Sequence, residues 1–188
     1  MAPARSYYRM KLELGSPKSA PSIPEGITLR RYQHDVDLLG LHHAYEAAFA
    51  GHWGYLPRSE KSGTSELRNW VESDNSFDSE CWILALDGDY IVGFVMGTCK
   101  TGEGSNIGQV NELGVIPIWR NKGLGKALLE NIFLKFQAKS KTSAILDVDA
   151  DNSSGAVNFY NHLGMRVVRR RIAFEKTLRA GFDLRGNN

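Results

Sequence analysis

The sequence predicts an α/β (α+β) fold in which a mixed, mostly antiparallel sheet carries helices on both faces. Three strand-like stretches follow one another between residues 80 and 116 with no helical stretch between them. Two further strand-like stretches follow after residue 140, and each of them is preceded by a helical stretch. Consecutive antiparallel strands that lead into alternating helices and strands are typical of one mixed sheet covered on two sides.

The first half of the chain contributes a strand, two helices and a hairpin. Residues 27–32 alternate apolar and polar side chains, as a half-buried strand does. Apolar residues recur at helical spacing over residues 35–50, and a shorter helix is predicted over about 64–71. The apolar runs 80–86 and 90–99 are separated by Asp-Gly-Asp, a composition typical of tight hairpin turns.

The second half is organised around residues 110–139. An apolar strand ends at Pro117, because proline cannot continue the hydrogen bonding of a strand. A glycine-containing turn follows, and leucine, isoleucine and phenylalanine then recur every four residues, as on a helix packed against a sheet. A strand over 143–149, a helix over about 153–163 and a last strand over 167–178 complete the predicted order.

Composition indicates one soluble domain with a full core. The chain has 188 residues, 42% hydrophobic and 23% charged residues and a net charge of +2. We predict a domain over residues 26–180, preceded by an arm and linker at 1–25 and followed by a flexible tail at 181–188. The arm has three open placements: its own sheet, a neighbouring copy in a homodimer, or the junction with a preceding domain. No run reaches the roughly 18 apolar residues of a membrane span, and no signal peptide is apparent.

The two cysteines, Cys81 and Cys99, do not form a metal-binding motif in the sequence. They lie in apolar strand-like runs, lack CxxC spacing and have no histidine pair nearby. We therefore expect reduced, buried thiols, no metal and a cytoplasmic location.

The turn after Pro117 predicts a phosphate-binding loop. Gly123 and Gly125 permit a backbone in which successive N–H groups point outward, and the following helix N-terminus adds a partial positive charge. The spacing fits neither nucleotide motif: a Walker loop requires Ser or Thr where Ala127 stands, and a dinucleotide fingerprint requires glycine where Leu128 stands. A glycine-rich connection without any ligand is the structural alternative.

Two motifs resemble the GCN5-related N-acetyltransferase (GNAT) superfamily. The pattern V-x-P-x-x-R-x-x-G-x-G runs from Val115 to Gly125 and is similar to the acyl-CoA loop of that family. A second pattern, with Asn152, Tyr160 and then Leu-Gly-Met, is similar to the family signature near the C-terminus. More loosely, the phrase AFAGHWGYLP resembles the mycothiol-synthase-like, often tandem, branch.

The resemblance implies an acyl-CoA N-acyltransferase fold and acetyl-CoA as the co-substrate. In the family, a β-bulge splays the strand before the loop from its neighbour, and the opened strand meets the pantetheine arm. For Gly114 in that strand, a small residue packed under a helix is an equally open explanation. The residues implied to bind the coenzyme are Leu113, Gly114, Val115, Arg120, Asn121, Lys122, Gly123, Leu124, Gly125, Lys126, Asn152 and Tyr160.

The resemblance also implies catalytic roles. Tyr160 stands where the family commonly has the general acid that protonates the coenzyme thiolate. Two carboxylates are candidates for the base that deprotonates the amine: Glu112 first, beside the pantetheine segment, and Asp147 second, on the next strand. Some relatives have a glutamate where this chain has Gln109, which cannot accept the proton.

The predicted function is acetyl transfer from acetyl-CoA to a primary amine of a small molecule or protein. His52 and Trp53 are the candidate acceptor-binding residues, because large rings on a loop often line a pocket. A non-catalytic CoA-binding module derived from half of a tandem protein is the alternative. The arginines at 166–171 leave an RNA-associated protein as a third hypothesis, although we expect neither nucleic acid nor membrane as a partner.

Overall fold

The computed structural model describes residues 2–16, 20–73, 75–152, 154–176 and 178. The tail predicted at 181–188 lies outside these residues. Within them the chain forms seven strands: β1 (Ala2–Glu13), β2 (Ile27–Arg31), β3 (Trp82–Asp87), β4 (Tyr90–Thr98), β5 (Ile107–Val115), β6 (Ser143–Asp149) and β7 (Arg166–Glu175). The four helices are α1 (His34–Phe49), α2 (Glu60–Ser73), α3 (Leu124–Ala138) and α4 (Ala156–His162), and short 3₁₀ turns occur at Ser79–Cys81 and Pro117–Trp119.

All seven strands belong to one sheet with the order β2-β3-β4-β5-β6-β1-β7. Only the β5–β6 pair is parallel, and the other neighbouring pairs are antiparallel. The prediction of a mixed, mostly antiparallel sheet is therefore confirmed. From β2 onward the element order also follows the prediction, although α2 starts at Glu60 rather than near 64 and β7 ends at Glu175 rather than at 178. Strand β1 falls in the segment that was predicted as an arm and linker.

The sheet separates two apolar layers because the side chains of a strand alternate between its faces. On β3, Trp82 and Leu84 face the layer of α1 and α2, whereas Ile83 and Ala85 face the layer of α3. Helix α3 buries a continuous stripe, with Leu128, Ile132 and Phe136 fully enclosed. Helix α4 packs in the same layer as α3. Helices therefore cover both faces, as predicted.

The N-terminal arm docks on the chain's own sheet, one of the three placements that the sequence left open. Strand β1 lies between β6 and β7, with Tyr7 opposite Asp149 on one side and Arg171 on the other. Met10 of this strand is fully buried in the α3 layer. Among the described residues, β7 is joined to the sheet only through β1. The arm thus holds the last strand in place and contributes an internal strand of the sheet.

None of the helices in the described part of the chain combines the length and the apolar character that crossing a membrane requires.

Candidate active site

A gap opens in the sheet between β5 and β6. The two strands pair from Ile107 to Val110 on β5, and the remainder of β5, up to Val115, is not paired with β6. On the other side of β5, Glu112 is opposite Met96 and Val110 is opposite Gly97, so Asn111 is an extra residue in the ladder. A bulge of this kind bends a strand and leaves backbone groups without a ladder partner. The bulge that the family resemblance implied is therefore present, and it lies where the strands separate.

The loop beyond β5 presents the N-terminus of α3. Gly123 is the N-cap residue and has a φ of 84°, a left-handed conformation that glycine adopts without strain. The first hydrogen bond of the helix runs from the N–H of Ala127 to the carbonyl of Gly123. The N–H groups of residues 124–126 consequently have no acceptor within the helix, and the helix dipole adds partial positive charge beside them. This backbone fits a pyrophosphate.

The charged side chains of the loop are engaged with the protein itself. The guanidinium of Arg120 donates to the carbonyls of Val115, at 3.1 Å, and Ala48, at 2.8 Å. The Lys122 ammonium lies 4.7 Å from the centre of the Trp119 ring. Arg120 therefore fastens the loop to the end of α1, whereas the backbone and the exposed side chains of Lys122 and Lys126 remain open to an anion.

The strand segment before the loop has packed side chains on both sides. A Cβ atom added to Gly114 would penetrate the ring of Phe94 on β4. Glycine is thus required there by packing, although the close neighbour is a ring of the adjacent strand and not a helix, as the packing alternative had it. Leu113 and Val115 point to the other face and pack against the α3 layer.

Glu112 and Tyr160 approach the gap from different elements. Glu112 lies on β5 directly after the bulge, and Tyr160 lies on α4. Burial raises the pKa of Tyr160 to about 12, and the nearby charge of Glu112 acts in the same direction. Burial also raises the pKa of Glu112, to about 7, against the lowering effects of a hydrogen bond from Tyr45 and the charge of Arg58. The first candidate base and the candidate acid are therefore electrostatically coupled.

Asp147, the second candidate base, has a different environment. Its carboxylate accepts two hydrogen bonds from Arg9, at 3.0 and 2.7 Å, and pairs with Arg171 at 2.7 Å. Burial alone would raise the pKa of Asp147, but the hydrogen bond and charge of Arg9, together with the charge of Arg171, lower it. A carboxylate held by two guanidinium groups is a weak proton acceptor. The geometry therefore favours Glu112 over Asp147.

The loop after α1 extends to the N-terminal strand. The Arg5 guanidinium lies 4.8 Å from the centre of the Trp53 ring and donates to Asp149 at 2.8 Å. His52 packs edge-on against Phe49 at 4.9 Å. Burial lowers the pKa of His52, and the positive charge of Arg120 lowers it further, whereas the Asp149 charge opposes this. His52 and Trp53, the predicted acceptor residues, thus lie near Arg120 of the loop before α3 and near Arg5 of the arm.

Sequence reasoning missed three residues of this region. Arg5 and Asp149 are 144 positions apart, so no local spacing could have joined them, and only strand pairing does so. Tyr45 lies in the apolar repeat of residues 35–50, yet its hydroxyl reaches Glu112 while its ring stacks on Phe94 at 5.6 Å.

Asn152 was predicted to contact the coenzyme, but its side-chain oxygen accepts the backbone N–H of Ser154 at 2.9 Å.

Comparison with known proteins agrees with these features. The family model described as "Acetyltransferase (GNAT) family" matches residues 38–165. A mycothiol acetyltransferase of Renibacterium salmoninarum is 34% identical over 159 residues, which is 83% of this chain and 45% of that protein. Another, from Thermobispora bispora, is 31% identical over 168 residues, covering 87% of this chain and 55% of the relative. The chain spans about half the length of these curated relatives.

Solved structures show the same relationship. A GCN5-related N-acetyltransferase from Sphaerobacter thermophilus has a TM-score of 0.78 and 31% identity, over 97% of this chain and 54% of that one. A tandem GNAT protein from the clavulanic acid pathway shares the fold, with a TM-score of 0.67 at 16% identity, over 89% of this chain and 52% of the other. The predicted resemblance, including its mycothiol-related branch, is confirmed. The chain belongs to the GNAT acetyltransferase family.

Proposed function

We propose that this protein transfers an acetyl group from acetyl-CoA directly to an amine in a ternary complex. The observation that carries the proposal is the coupled pair of Glu112 and Tyr160 at the gap between β5 and β6, next to the anion-binding N-terminus of α3. A base, an acid and a phosphate site are what acetyl transfer requires of the protein. A module that only binds CoA requires neither the base nor the acid.

The proposed reaction begins with Glu112. With a pKa of about 7, its carboxylate can accept a proton from the ammonium of the acceptor at neutral pH. The amine then attacks the thioester carbonyl, so a C–N bond forms and the C–S bond breaks. A backbone N–H freed by the bulge of β5 is the proposed donor to the oxyanion. Tyr160 gives its proton to the leaving thiolate, and the attacking nitrogen passes its remaining excess proton to the phenolate, which restores Tyr160 and leaves a neutral amide.

The coupling between the two groups suits this order of events. While Glu112 is charged, it raises the pKa of Tyr160, and the phenol keeps its proton. Once Glu112 has taken the proton of the amine, it is neutral and no longer opposes ionisation of Tyr160. The acid therefore becomes stronger at the step that needs it.

For the acceptor we propose a small amine bound beside the loop that carries His52 and Trp53. Arg5, Asp149 and Trp53 form a polar and aromatic wall next to the gap, which suits a hydrophilic small molecule. The names of the curated relatives make a mycothiol-related amine the first compound to test. Spermidine, aminoglycosides and peptide N-termini complete the acceptor screen.

The proposal is tested by calorimetric titration of the protein with acetyl-CoA. We expect saturable binding with about one site per chain, because the described residues contain one loop of this kind. Binding should be followed by amine-dependent release of free thiol when acceptors are added. Failure to bind acetyl-CoA at high concentration would contradict the proposal, whereas binding without turnover on any acceptor would support the non-catalytic alternative.

The role of Tyr160 is tested by Tyr160→Phe, which removes only the hydroxyl. We expect kcat to fall by roughly 10²-fold, the lower end of the usual contribution of a general acid, with the affinity for acetyl-CoA nearly unchanged. The matched control is Tyr8→Phe, a tyrosine of β1 that also packs against the α3 layer. Unchanged turnover in Tyr160→Phe would exclude the acid role.

A further inference from the structure

The fold brings together two cysteines that the sequence separates. Cys81 ends the 3₁₀ turn that leads into β3, and Cys99 directly follows β4. Because β3 and β4 are paired, with Trp82 opposite Met96, the two Sγ atoms lie 3.7 Å apart. Asp78 precedes the same turn, and its Oδ2 lies 3.7 Å from the Sγ of Cys81. One ligand atom from each of the three residues lies within 4.8 Å of the others.

The separation of the two Sγ atoms and that of the Asp78 Oδ2 from the Cys81 Sγ match two edges of a metal-centred tetrahedron. With metal–sulfur bonds of about 2.3 Å, two thiolates of a tetrahedral zinc site are about 3.8 Å apart. With a metal–oxygen bond of about 2.0 Å, the oxygen-to-sulfur edge is about 3.5 Å. The Cys81–Cys99 and Asp78–Cys81 spacings therefore fit a bound ion, and the Asp78 oxygen and the Cys99 sulfur, which lie within 4.8 Å of each other, would close toward the shorter edge when the ion binds. A disulfide, in contrast, requires the sulfurs to approach to about 2.05 Å.

The surroundings balance the charge that such a site would carry. Two thiolates and a carboxylate around a divalent ion leave one negative charge. The Lys139 ammonium is 3.0 Å from the Asp78 carboxylate. A cationic side chain next to a net negative site lowers the cost of deprotonating the thiols, of which Cys81 is buried and Cys99 half-buried. Lys139 can remain as an outer partner of the carboxylate after the ion binds.

We propose that Asp78, Cys81 and Cys99 bind a zinc-class divalent ion, with a fourth position open to water. Thiolate ligands favour such soft or borderline metals over Mg²⁺ or Ca²⁺. Binding replaces the two thiol protons, so one ion enters and two protons leave. The site has a structural role, since it clamps the turn before β3 to the end of β4.

The proposed site is separate from the acetyl-transfer site. It lies beside Lys139, at the C-terminal end of α3, whereas the phosphate-binding loop lies at the N-terminal end. A helix of 15 residues is about 22 Å long. The metal proposal therefore does not depend on the proposed function, and its test needs no activity measurement.

The test is a Co²⁺ titration of the full chain, reduced with a phosphine and freed of metal by a chelator. We expect one Co²⁺ per chain, an intense visible spectrum of tetrahedral cobalt, thiolate charge-transfer absorption and release of two protons. Zn²⁺ should displace the cobalt and raise Tm, since an ion that binds only the folded state stabilises it.

Variants assign the signal to the three side chains. Cys99→Ala, at a half-buried position, and Cys81→Ala, at a buried one, should each abolish the charge-transfer band. Asp78→Asn should weaken binding by roughly tenfold or more while the band remains. Glu80→Gln is the matched control, because this neighbouring carboxylate pairs with Arg31 outside the cluster. Cobalt binding that survives in Cys99→Ala, no binding in the wild type, or oxidation of the pair to a disulfide in preference to metal binding would overturn the proposal.

Discussion

Gly123→Glu is expected to abolish acetyl-CoA binding. The residue caps the N-terminus of α3, and among the described residues nothing beyond its chain neighbours lies within 4 Å of where its Cβ would be. The glutamate therefore has room, but its carboxylate would occupy or repel the site of the pyrophosphate. Adopting the left-handed conformation costs a non-glycine residue about 1–2 kcal/mol, which a folded domain of this size can tolerate. A negative charge at a helix N-terminus is itself favourable.

The control for this variant is Gly26→Glu. Gly26 also has a positive φ, 78°, with nothing within 4 Å of an added Cβ. It precedes β2, which is three strands away from β5 in the sheet. The same strain and charge at that position should leave the calorimetric titration unchanged. Normal affinity in Gly123→Glu would show that the pyrophosphate binds elsewhere.

Glu112→Gln is expected to lower kcat by roughly 10²- to 10⁴-fold, the usual contribution of a general base. The amide keeps the shape of the side chain but cannot accept the ammonium proton. Affinity for acetyl-CoA should be retained, because the proposed coenzyme contacts are with the loop backbone. Asp147→Asn is the matched control on the next strand: it makes the same chemical change in a carboxylate that two arginines hold.

The pH dependence provides an independent check of the same role. The pKa of Glu112 is raised to about 7, so the carboxyl is protonated and inactive below this pH and becomes a base above it. Wild-type kcat should therefore rise with pH through about 7 and then level off, and this rise should be lost in Glu112→Gln. A rise that persists in Glu112→Gln but disappears in Asp147→Asn would transfer the role to Asp147.

Local features of the sequence were sufficient for much of the fold and for the glycine turn that precedes α3. Helix α3 follows from a four-residue apolar repeat, and the β3–β4 hairpin follows from a glycine turn between apolar runs. The turn at Gly123 is local as well, because the chain conformation that exposes its N–H groups depends on neighbouring residues. Tyr160 was identified only through a family resemblance, and its catalytic role stays a prediction.

The sequence by itself determined the fold class and the order of elements from β2 onward, because apolar periodicity and turn residues act over a few positions. The family was indicated by the resemblance of two motifs to a known family. Tertiary structure alone distinguishes the two carboxylates: among the described residues Glu112 forms no ion pair and lies next to the gap, whereas strand pairing places Arg9 and Arg171 beside Asp147. It also placed the arm inside the sheet and brought Cys81 beside Cys99. These contacts join residues far apart in the chain, and their strength depends on burial and distance, which no local pattern records.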